Sequence, residues 1–394
     1  MKACKTHTIL TVVSSVILLV VYSVILLQAC TRKPFDPQGS ATLNRDKFSF
    51  TRVLPATAIR ALSVAGSSTG VLCISAMKLD GEIVLLTDEQ GYWAELGRIT
   101  AFSSSVVPIL DIAPGTDGFW FVLVSDDTNG VVLHHTNGTV HTEQTIPQFN
   151  DGDWSDVCGQ LEATTVGDPS TVLLSRTGSV VLCERISDMW TLHDMPDLTV
   201  SAELLHYKID STGRHHVLYR DSFTTESMYR SFSLNTWTRA EPVENGPERS
   251  HAGMPLQLSL SESNSVRVIG FDYSRNVLVM WEDVGLRFRW EAEGLPIAED
   301  TLMDRYLSVV TAPDGTPHVM VARYHGAVGY ELLWLSRRSY QWEVHTIASG
   351  LYRWSQFNPI RLAVMAIAGD VPHLVFAKLG PGGEEAVLWD AVLR

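Results

Sequence analysis

Three adjacent side chains in the segment "LYRWSQFN" have the types that bind an acidic sugar. Tyr352 and Trp354 offer flat aromatic faces on which a sugar ring can stack. The guanidinium of Arg353 offers a two-pronged donor for a carboxylate. Tyr352, Arg353 and Trp354 are therefore the candidate ligand-binding cluster. The alternative is that this loop packs against its neighbours or plugs a channel.

A second group, Arg323, Tyr324 and His325, forms the candidate catalytic set. A phenol and an imidazole side by side can act as acid and base, and a guanidinium can hold a substrate carboxylate. An arginine that only caps the end of a strand explains the same residues without catalysis. The chain contains no H-E-x-x-H or C-x-x-C sequence, so we expect no catalysis.

The segment "NDGDWSDV" places three carboxylates close together in the chain. Asp151, Asp153 and Asp156 offer the oxygen ligands that Ca²⁺ prefers, so a calcium site is one hypothesis. The other is that these aspartates cap the backbone of their own turns. The adjacent His134 and His135 would point to opposite faces of a strand and cannot share one metal ion. No other cofactor is expected.

These residues need elements that position them, and a recurring tryptophan gives the period of those elements. Six positions after a turn, 47 to 53 residues apart, hold Trp93, His141, Trp190, Trp237, Trp290 and Trp342. Between them lie short runs of β-branched and aromatic residues separated by Gly, Asp, Asn and Pro turns. Such a period predicts a propeller with one four-stranded blade in each repeat. The tryptophan is then predicted to be a packing anchor between blades.

The end of the chain sets the number of blades. The last 24 residues align on the repeat before them, which places Trp389 in a third strand and leaves no fourth. Residues 45–55 can supply that outer strand, and such closure removes an open sheet edge. The prediction is an all-β fold over 45–394: a seven-bladed β-propeller of four-stranded antiparallel blades, the last closed by an N-terminal strand. Cys158 and Cys183 would then lie about 10 Å apart, on the first and third strands of one blade, too far for a disulfide.

The first thirty residues have the features of a targeting segment. Two lysines precede a largely apolar stretch, residues 9–27, and "LLQAC" ends at Cys30. This ending resembles the bacterial lipobox, which implies a signal peptide over 1–29, a lipidated Cys30 in the bilayer and a tether over 30–44. The implied location is the bacterial cell envelope, at the outer membrane and facing the periplasm or the cell surface. The apolar stretch is also long enough for an uncleaved membrane anchor.

The charge balance argues against one class of partner. The chain has 44 acidic and 30 basic residues and a formal net charge of -14. It shows no cluster of lysine and arginine that would neutralise phosphates. We therefore expect no nucleic-acid partner.

Residues 87–93, "TDEQGYW", resemble a degenerate Asp box, the turn signature of sialidase-like (BNR) propellers. The resemblance implies a propeller fold and a structural role for the motif, and it transfers no activity. An enzyme of that family would surround a substrate carboxylate with three arginines. Arg176, Arg220 and Arg323 lie near the ends of second strands and are the candidates for that role.

The leading hypothesis is an envelope-anchored lipoprotein that acts as a binding or scaffold propeller without catalysis. Its partner would be a glycan or an envelope protein. One alternative is a glycan-cleaving enzyme, either a sialidase-like hydrolase or a polysaccharide lyase. The other alternative is a structural subunit of an envelope complex.

Overall fold

The described part of the chain consists of β-strands joined by turns. A computed structural model describes residues 42–100, 109–126, 130–146, 158–164, 168–174, 180–186, 189–196, 202–221, 224, 226–243, 256–261, 263–272, 277–283, 290–295, 302–325, 329–338, 341–351, 363–379 and 386–394. Over these ranges, no helix has both the length and the apolar character needed to span a bilayer. Cys30 and the apolar stretch 9–27 lie outside them.

The strands form seven antiparallel sheets, each a blade that runs from an inner to an outer strand. Blades 1 to 3 contain β3 (Ile59–Gly66), β4 (Leu72–Lys78), β5 (Glu82–Thr87) and β6 (Ala94–Thr100); β7 (Leu110–Pro114), β8 (Trp120–Asp126), β9 (Gly130–Thr136) and β10 (His141–Thr145); β11 (Cys158–Ala163), β12 (Pro169–Leu174), β13 (Val180–Ile186) and β14 (Met189–Asp194). Blades 4 and 5 contain β15 (Ala202–Ile209), β16 (His215–Asp221), β17 (Ser227–Ser233), β18 (Thr236–Trp237) and the short β19 (Glu241–Pro242), which also pairs with β17; β20 (Gln257–Leu260), β21 (Val266–Asp272), β22 (Val277–Asp283) and β23 (Trp290–Gly294). Blades 6 and 7 contain β24 (Leu302–Thr311), β25 (Pro317–His325), β26 (Gly329–Arg338) and β27 (Gln341–Leu351); β28 (Ala363–Ala368), β29 (Val371–Leu379), β30 (Ala386–Leu393) and, outermost, β2 (Phe48–Thr57).

The seven inner strands close into a ring around a central channel. Each of β3, β7, β11, β15, β20, β24 and β28 contacts the next, and β28 contacts β3 again. The last blade combines both ends of the described chain, because β2 pairs with β30 from Phe48 opposite Leu393 to Thr57 opposite Ala386. The seven-bladed propeller and its closure by an N-terminal strand are thus confirmed. The sequence did not indicate β1 (Thr42–Leu43), which adds a fifth strand to blade 6 beside β27.

A repeated turn between the first and second strands sets the geometry of most blades. In six blades this turn has five residues, and the register of the flanking strands is the same each time. In five of them the fourth residue has a positive φ of 61° to 88°: Gly70, Gly118, Gly213, Asn264 and Gly315. Glycine and asparagine adopt this left-handed conformation with little strain, which explains the glycine-rich punctuation of the repeats.

The hydrophobic core is divided among the seams between neighbouring blades. The middle strands are buried on both faces; β4, for example, is buried from Leu72 to Met77. Four of the recurring tryptophans are half-buried and pack against a core shared with the preceding blade: Trp93, Trp190, Trp237 and Trp342. Their predicted role as packing anchors is confirmed, since they extend these cores toward the rim. The side chain of Trp290 lies outside the described residues.

Cys73 and Cys183 behave as buried apolar residues. Cys158 lies on β11 and Cys183 on β13, the first and third strands of blade 3 as predicted. Cys183 is free and buried, so the predicted absence of a Cys158–Cys183 bridge is confirmed. Burial raises the pKa of Cys73 and of Cys183, so both thiols are unreactive in the folded chain.

Candidate functional site

The propeller has two faces with different connections. The turns between first and second strands and between third and fourth strands, such as 67–71 and 137–140, define the turn face. The turns between second and third strands and the connections between blades define the loop face. β27 ends at Leu351 and β28 begins at Ala363, both at the loop face. The predicted ligand cluster and acidic loop belong to such connections and lie outside the described residues: Tyr352, Arg353, Trp354, Asp151, Asp153 and Asp156.

The candidate catalytic residues lie at the loop-face end of β25. The Nε atom of Arg323 donates a hydrogen bond of 2.9 Å to Oε2 of Glu331, the residue opposite it on β26. Tyr324 and His325 continue the strand, and their side chains are outside the described residues. Because Arg323 already binds a carboxylate, its charge is partly neutralised within its own blade.

A second arginine of the proposed carboxylate-binding set is engaged in the same way. Nη1 of Arg220 lies 2.5 Å from Oε2 of Glu203 on the neighbouring strand. Arg176, the third of the set, lies outside the described residues. The two described arginines thus each pair within their own blade, and their catalytic role stays a prediction.

The central channel forms a cavity lined by described residues. It has a volume of about 510 Å³ and is lined by all seven inner strands. A cavity of this size falls within the range of small-molecule sites. Whether a ligand can bind in the channel depends on what the polar side chains of its lining already contact.

One layer of that lining is a ring of side chains at equivalent positions. In each repeat the residue four positions before the first turn belongs to this ring: Ser63, Asp111, Gln160, His206, Gln257, Ser308 and Met365. Six of the seven are polar. The signal is present in the sequence, but it appears only when the repeats are aligned on their turns.

Four of the ring side chains, those of Ser63, Asp111, Gln160 and Ser308, form hydrogen bonds to a neighbouring blade. Ser63 Oγ donates to Asp111 Oδ1 at 2.6 Å, and Asp111 Oδ2 accepts from the Leu161 backbone at 2.9 Å. Gln160 likewise bonds the backbone of blade 4, and Ser308 accepts from the Met365 backbone of blade 7 at 3.1 Å. These side chains satisfy backbone groups that would otherwise be unpaired at the inner edges of the blades.

A charged pair lies further along the same channel wall. Glu162 on β11 and Lys208 on β15 form a salt bridge across the seam between blades 3 and 4. Burial raises the pKa of Glu162, and the ammonium of Lys208 opposes that shift. The pair therefore links two blades and leaves little net charge at this part of the channel.

A histidine–carboxylate chain crosses the outer part of the same seam. The Tyr207 hydroxyl lies 2.8 Å from His215 Nδ1, and His215 Nε2 lies 2.9 Å from Glu184 Oε1. His193 Nε2 lies 2.8 Å from the second oxygen of Glu184. The hydrogen bond from His215 lowers the pKa of Glu184, so the carboxylate stays ionised between the two rings.

Blade 4 contains a triad that looks catalytic and is too deeply buried to act on a substrate. His216 lies with Nδ1 2.7 Å from the Tyr229 hydroxyl and Nε2 3.2 Å from Asp210 Oδ2. Asp210 also accepts hydrogen bonds from its own turn. The His216 side chain is 3% exposed, and burial lowers its pKa. Without solvent access the group holds the turn to the sheet.

These features define the class of protein: a seven-bladed β-propeller whose described polar clusters hold blades and turns together. No protein-family model and no curated protein matches the sequence. Solved structures share the fold. AofleA from Arthrobotrys oligospora aligns with a TM-score of 0.50 and 11% identity over 76% of this chain and 89% of that chain.

Two other propellers align equally well. The fucose-specific lectin from Aleuria aurantia has a TM-score of 0.50 and 12% identity over 75% of this chain and 98% of that chain. The WD40 domain of SCAP from fission yeast has a TM-score of 0.50 and 8% identity over 89% of this chain and 98% of that chain. At these identities the likeness shows the propeller fold alone.

Proposed function

We propose that this chain is a carbohydrate-binding propeller whose ligand sits at the loop face on Tyr352, Arg353 and Trp354. The observation that carries the proposal is the closed propeller with this cluster in the connection between two placed strand ends, at Leu351 and Ala363. The fold is shared with the fucose-specific lectin from Aleuria aurantia. The Glu184–His215 and His216–Tyr229 groups are engaged between blades or with turns, which favours binding over turnover.

The side-chain chemistry favours a sugar that carries a carboxylate. Tyr352 and Trp354 supply stacking faces, and Arg353 supplies the paired donors for the acid group. Arg323 lies at the same end of blade 6 but binds Glu331. We therefore assign the ligand's carboxylate to Arg353.

The proposed setting is the bacterial cell envelope, with an acylated Cys30 in the bilayer and the propeller outside the cytoplasm. The support is the lipobox-like "LLQAC". The first strand of the propeller begins at Thr42. A fully extended tether from Cys30 to that residue spans at most about 40 Å.

We also propose that the chain is related to sialidase-like propellers through residues 87–93. The support is local: Asp88 Oδ1 accepts a hydrogen bond of 2.6 Å from the Leu72 backbone, and Gly91 has a positive φ of 75°. Asp88 therefore holds the hairpin to its neighbouring strand. That is the structural role which the Asp-box resemblance implies.

The test measures binding and turnover together. The full chain, purified in detergent, is incubated with neutral and carboxylated oligosaccharides, and mass spectrometry records both retained ligand and new products. We expect retention of a carboxylated glycan without products. Arg353→Gln and Trp354→Ala should each weaken binding at least about tenfold, a loss of about 1.4 kcal/mol.

Tyr92→Ala is the matched control, because Tyr92 is an exposed aromatic residue on the opposite, turn face. New products would replace the proposal with a glycan-cleaving enzyme, and Arg323→Ala would be the first variant to test. Equal binding by Tyr92→Ala and Trp354→Ala would move the ligand away from the loop face. No retained glycan at all would contradict carbohydrate binding and favour a protein partner.

A further inference from the structure

Blade 2 departs from the tryptophan pattern, because its fourth strand begins with His141. His141 pairs with Thr136 as Trp190 pairs with Arg185 and Trp237 with Phe232, so it occupies the tryptophan position of its hairpin. The four described tryptophans are half-buried against a core, whereas His141 is exposed. An exposed imidazole at this position buries less apolar area than a tryptophan would, so packing does not explain why His141 stands there.

Two further residues of blade 2 turn this position into a cluster of donor groups. His134 lies two residues before Thr136 on β9, and Glu143 lies two residues after His141 on β10 and opposite His134. All three side chains therefore project from the same face of the hairpin. The corresponding residues contain no histidine in four other blades: Leu86 and Glu95 in blade 1, Cys183 and Leu192 in blade 3, Arg230 and Arg239 in blade 4, and Leu335 and Val344 in blade 6. The combination of two histidines and a glutamate is specific to this blade in that comparison.

We propose that His134, His141 and Glu143 form a binding site for one divalent transition-metal ion, with Zn²⁺ as the best fit. His134 Nδ1 lies 3.2 Å from His141 Nε2 and 4.0 Å from Glu143 Oε2. The three ligand atoms all lie within 4.8 Å of one another. Two ligands bound at about 2.0–2.1 Å in tetrahedral geometry stand about 3.3–3.4 Å apart. The separation of the two ring nitrogens, 3.2 Å, is close to that spacing.

The burial of the three groups suits an open site. His134 is 5% exposed and fixed beneath the surface, while His141 and Glu143 are exposed. The Glu143 side chain, 70% exposed, can move the short distance that coordination requires. The fourth position of the ion would face solvent and hold water, as in zinc sites with three protein ligands.

The ligand types decide which ion is favoured. Two imidazoles and one carboxylate suit Zn²⁺, Ni²⁺ and Cu²⁺, whereas Ca²⁺ and Mg²⁺ prefer oxygen ligands alone. This site is separate from the aspartate loop at 151–156. It also stands independently of the proposed carbohydrate site, because the β9–β10 turn lies on the turn face. The competing explanation is a hydrogen bond between the two rings at 3.2 Å, with no metal involved.

The experiment titrates the tag-free full chain with Zn²⁺ by calorimetry and with Co²⁺ by visible absorption. We expect one ion per chain, a Co²⁺ spectrum of a four-coordinate ion, and a Tm that rises with added Zn²⁺. His141→Trp restores the residue found in other blades and should fold, but it should bind Zn²⁺ at least about tenfold more weakly. Glu143→Gln, an exposed change, should also weaken binding and shift the Co²⁺ spectrum.

The matched control is His345→Gln. His345 Nε2 lies 3.5 Å from Glu343 Oε2 on the outer strand of blade 6, a histidine–glutamate pair without a second histidine. This variant should bind Zn²⁺ like the unchanged chain. Zn²⁺ binding that His141→Trp leaves unaltered, or that His345→Gln weakens as much, would overturn the proposal. Failure of the unchanged chain to bind Zn²⁺ would establish the hydrogen-bonded pair instead.

Discussion

Replacement of Phe48 by alanine tests how the propeller is closed. Phe48 is fully buried at the start of β2, the N-terminal strand that completes blade 7. Its ring lies 5.6 Å from the ring of Trp334 and 6.3 Å from that of His345, both in blade 6. One side chain therefore joins the closing strand to the neighbouring blade as well as to its own.

The expected loss follows from this burial. Truncation of a buried phenylalanine to alanine destabilises a protein by about 3–5 kcal/mol, and the lost aromatic contact with Trp334 accounts for about 0.5–1.5 kcal/mol of it. Total stabilities are about 5–15 kcal/mol. Phe48→Ala should therefore remove a large fraction of the free energy of unfolding.

Equilibrium unfolding in urea, followed by tryptophan fluorescence, measures the loss. Tyr92→Ala, at an exposed turn, is the control and should shift the free energy of unfolding by no more than about 0.5 kcal/mol. Hydrogen exchange adds a local readout, since the amides of β30 that pair with β2 should exchange faster in Phe48→Ala. A urea midpoint equal to that of Tyr92→Ala, with unchanged exchange in β30, would refute the closure.

Two other changes test the seams and the titration of buried groups. Gly66→Ala should lower the free energy of unfolding by about 3 kcal/mol, since a Cβ there would lie 1.8 Å from the carbonyl oxygen of Ile367 in the neighbouring blade 7. Gly294→Ala is the control, because its Cβ would meet nothing within 4 Å. Equal urea midpoints for the two variants would contradict this seam. Burial, with repulsion from Asp283, raises the pKa of Glu241 from 4.5 to about 7, so the folded chain retains a proton that the unfolded chain releases. The free energy of unfolding should then fall as pH rises from 4.5 to 7, on the order of 1 kcal/mol after solvent screening. Glu241→Gln should remove that fall. If the urea midpoint changes equally between pH 5 and pH 8 in the unchanged chain and in the variant, Glu241 is not responsible.

The architecture could be predicted from the sequence because the blades share a repeated sequence pattern. The tryptophan position and the turn residues recur in most blades, so a copy that has diverged can be identified by comparison with the others. The truncated last repeat, which ends after Trp389, also indicated the N-terminal closing strand. A single copy of "RDKFSFTRVLP" would not have predicted its partner without that missing strand.

The contacts between blades were harder to predict. Asp111 and Gln160 look like ordinary polar residues in the sequence, yet each bonds the backbone of the next blade. The two-residue strand β1 gave no signal, because a pair of residues has no periodicity to detect. The sequence makes Arg323 a candidate for binding a carboxylate. Its partner, Glu331, depends on the cross-strand register, which a sequence specifies only through the turn between the strands.

A repeat fold also makes departures from its own pattern informative. Each blade needs some residue at the tryptophan position, and the four described tryptophans fill it by packing toward the preceding blade. Val132 on β9 belongs to the core between blades 1 and 2, so His134 and His141, on the same face of the hairpin, project from that seam too. The seam does not need a tryptophan at the His141 position, because Trp120 and Val132 of blade 2 already fill its core. The His141 position can therefore hold a polar side chain. Packing alone does not account for two imidazoles beside a carboxylate there.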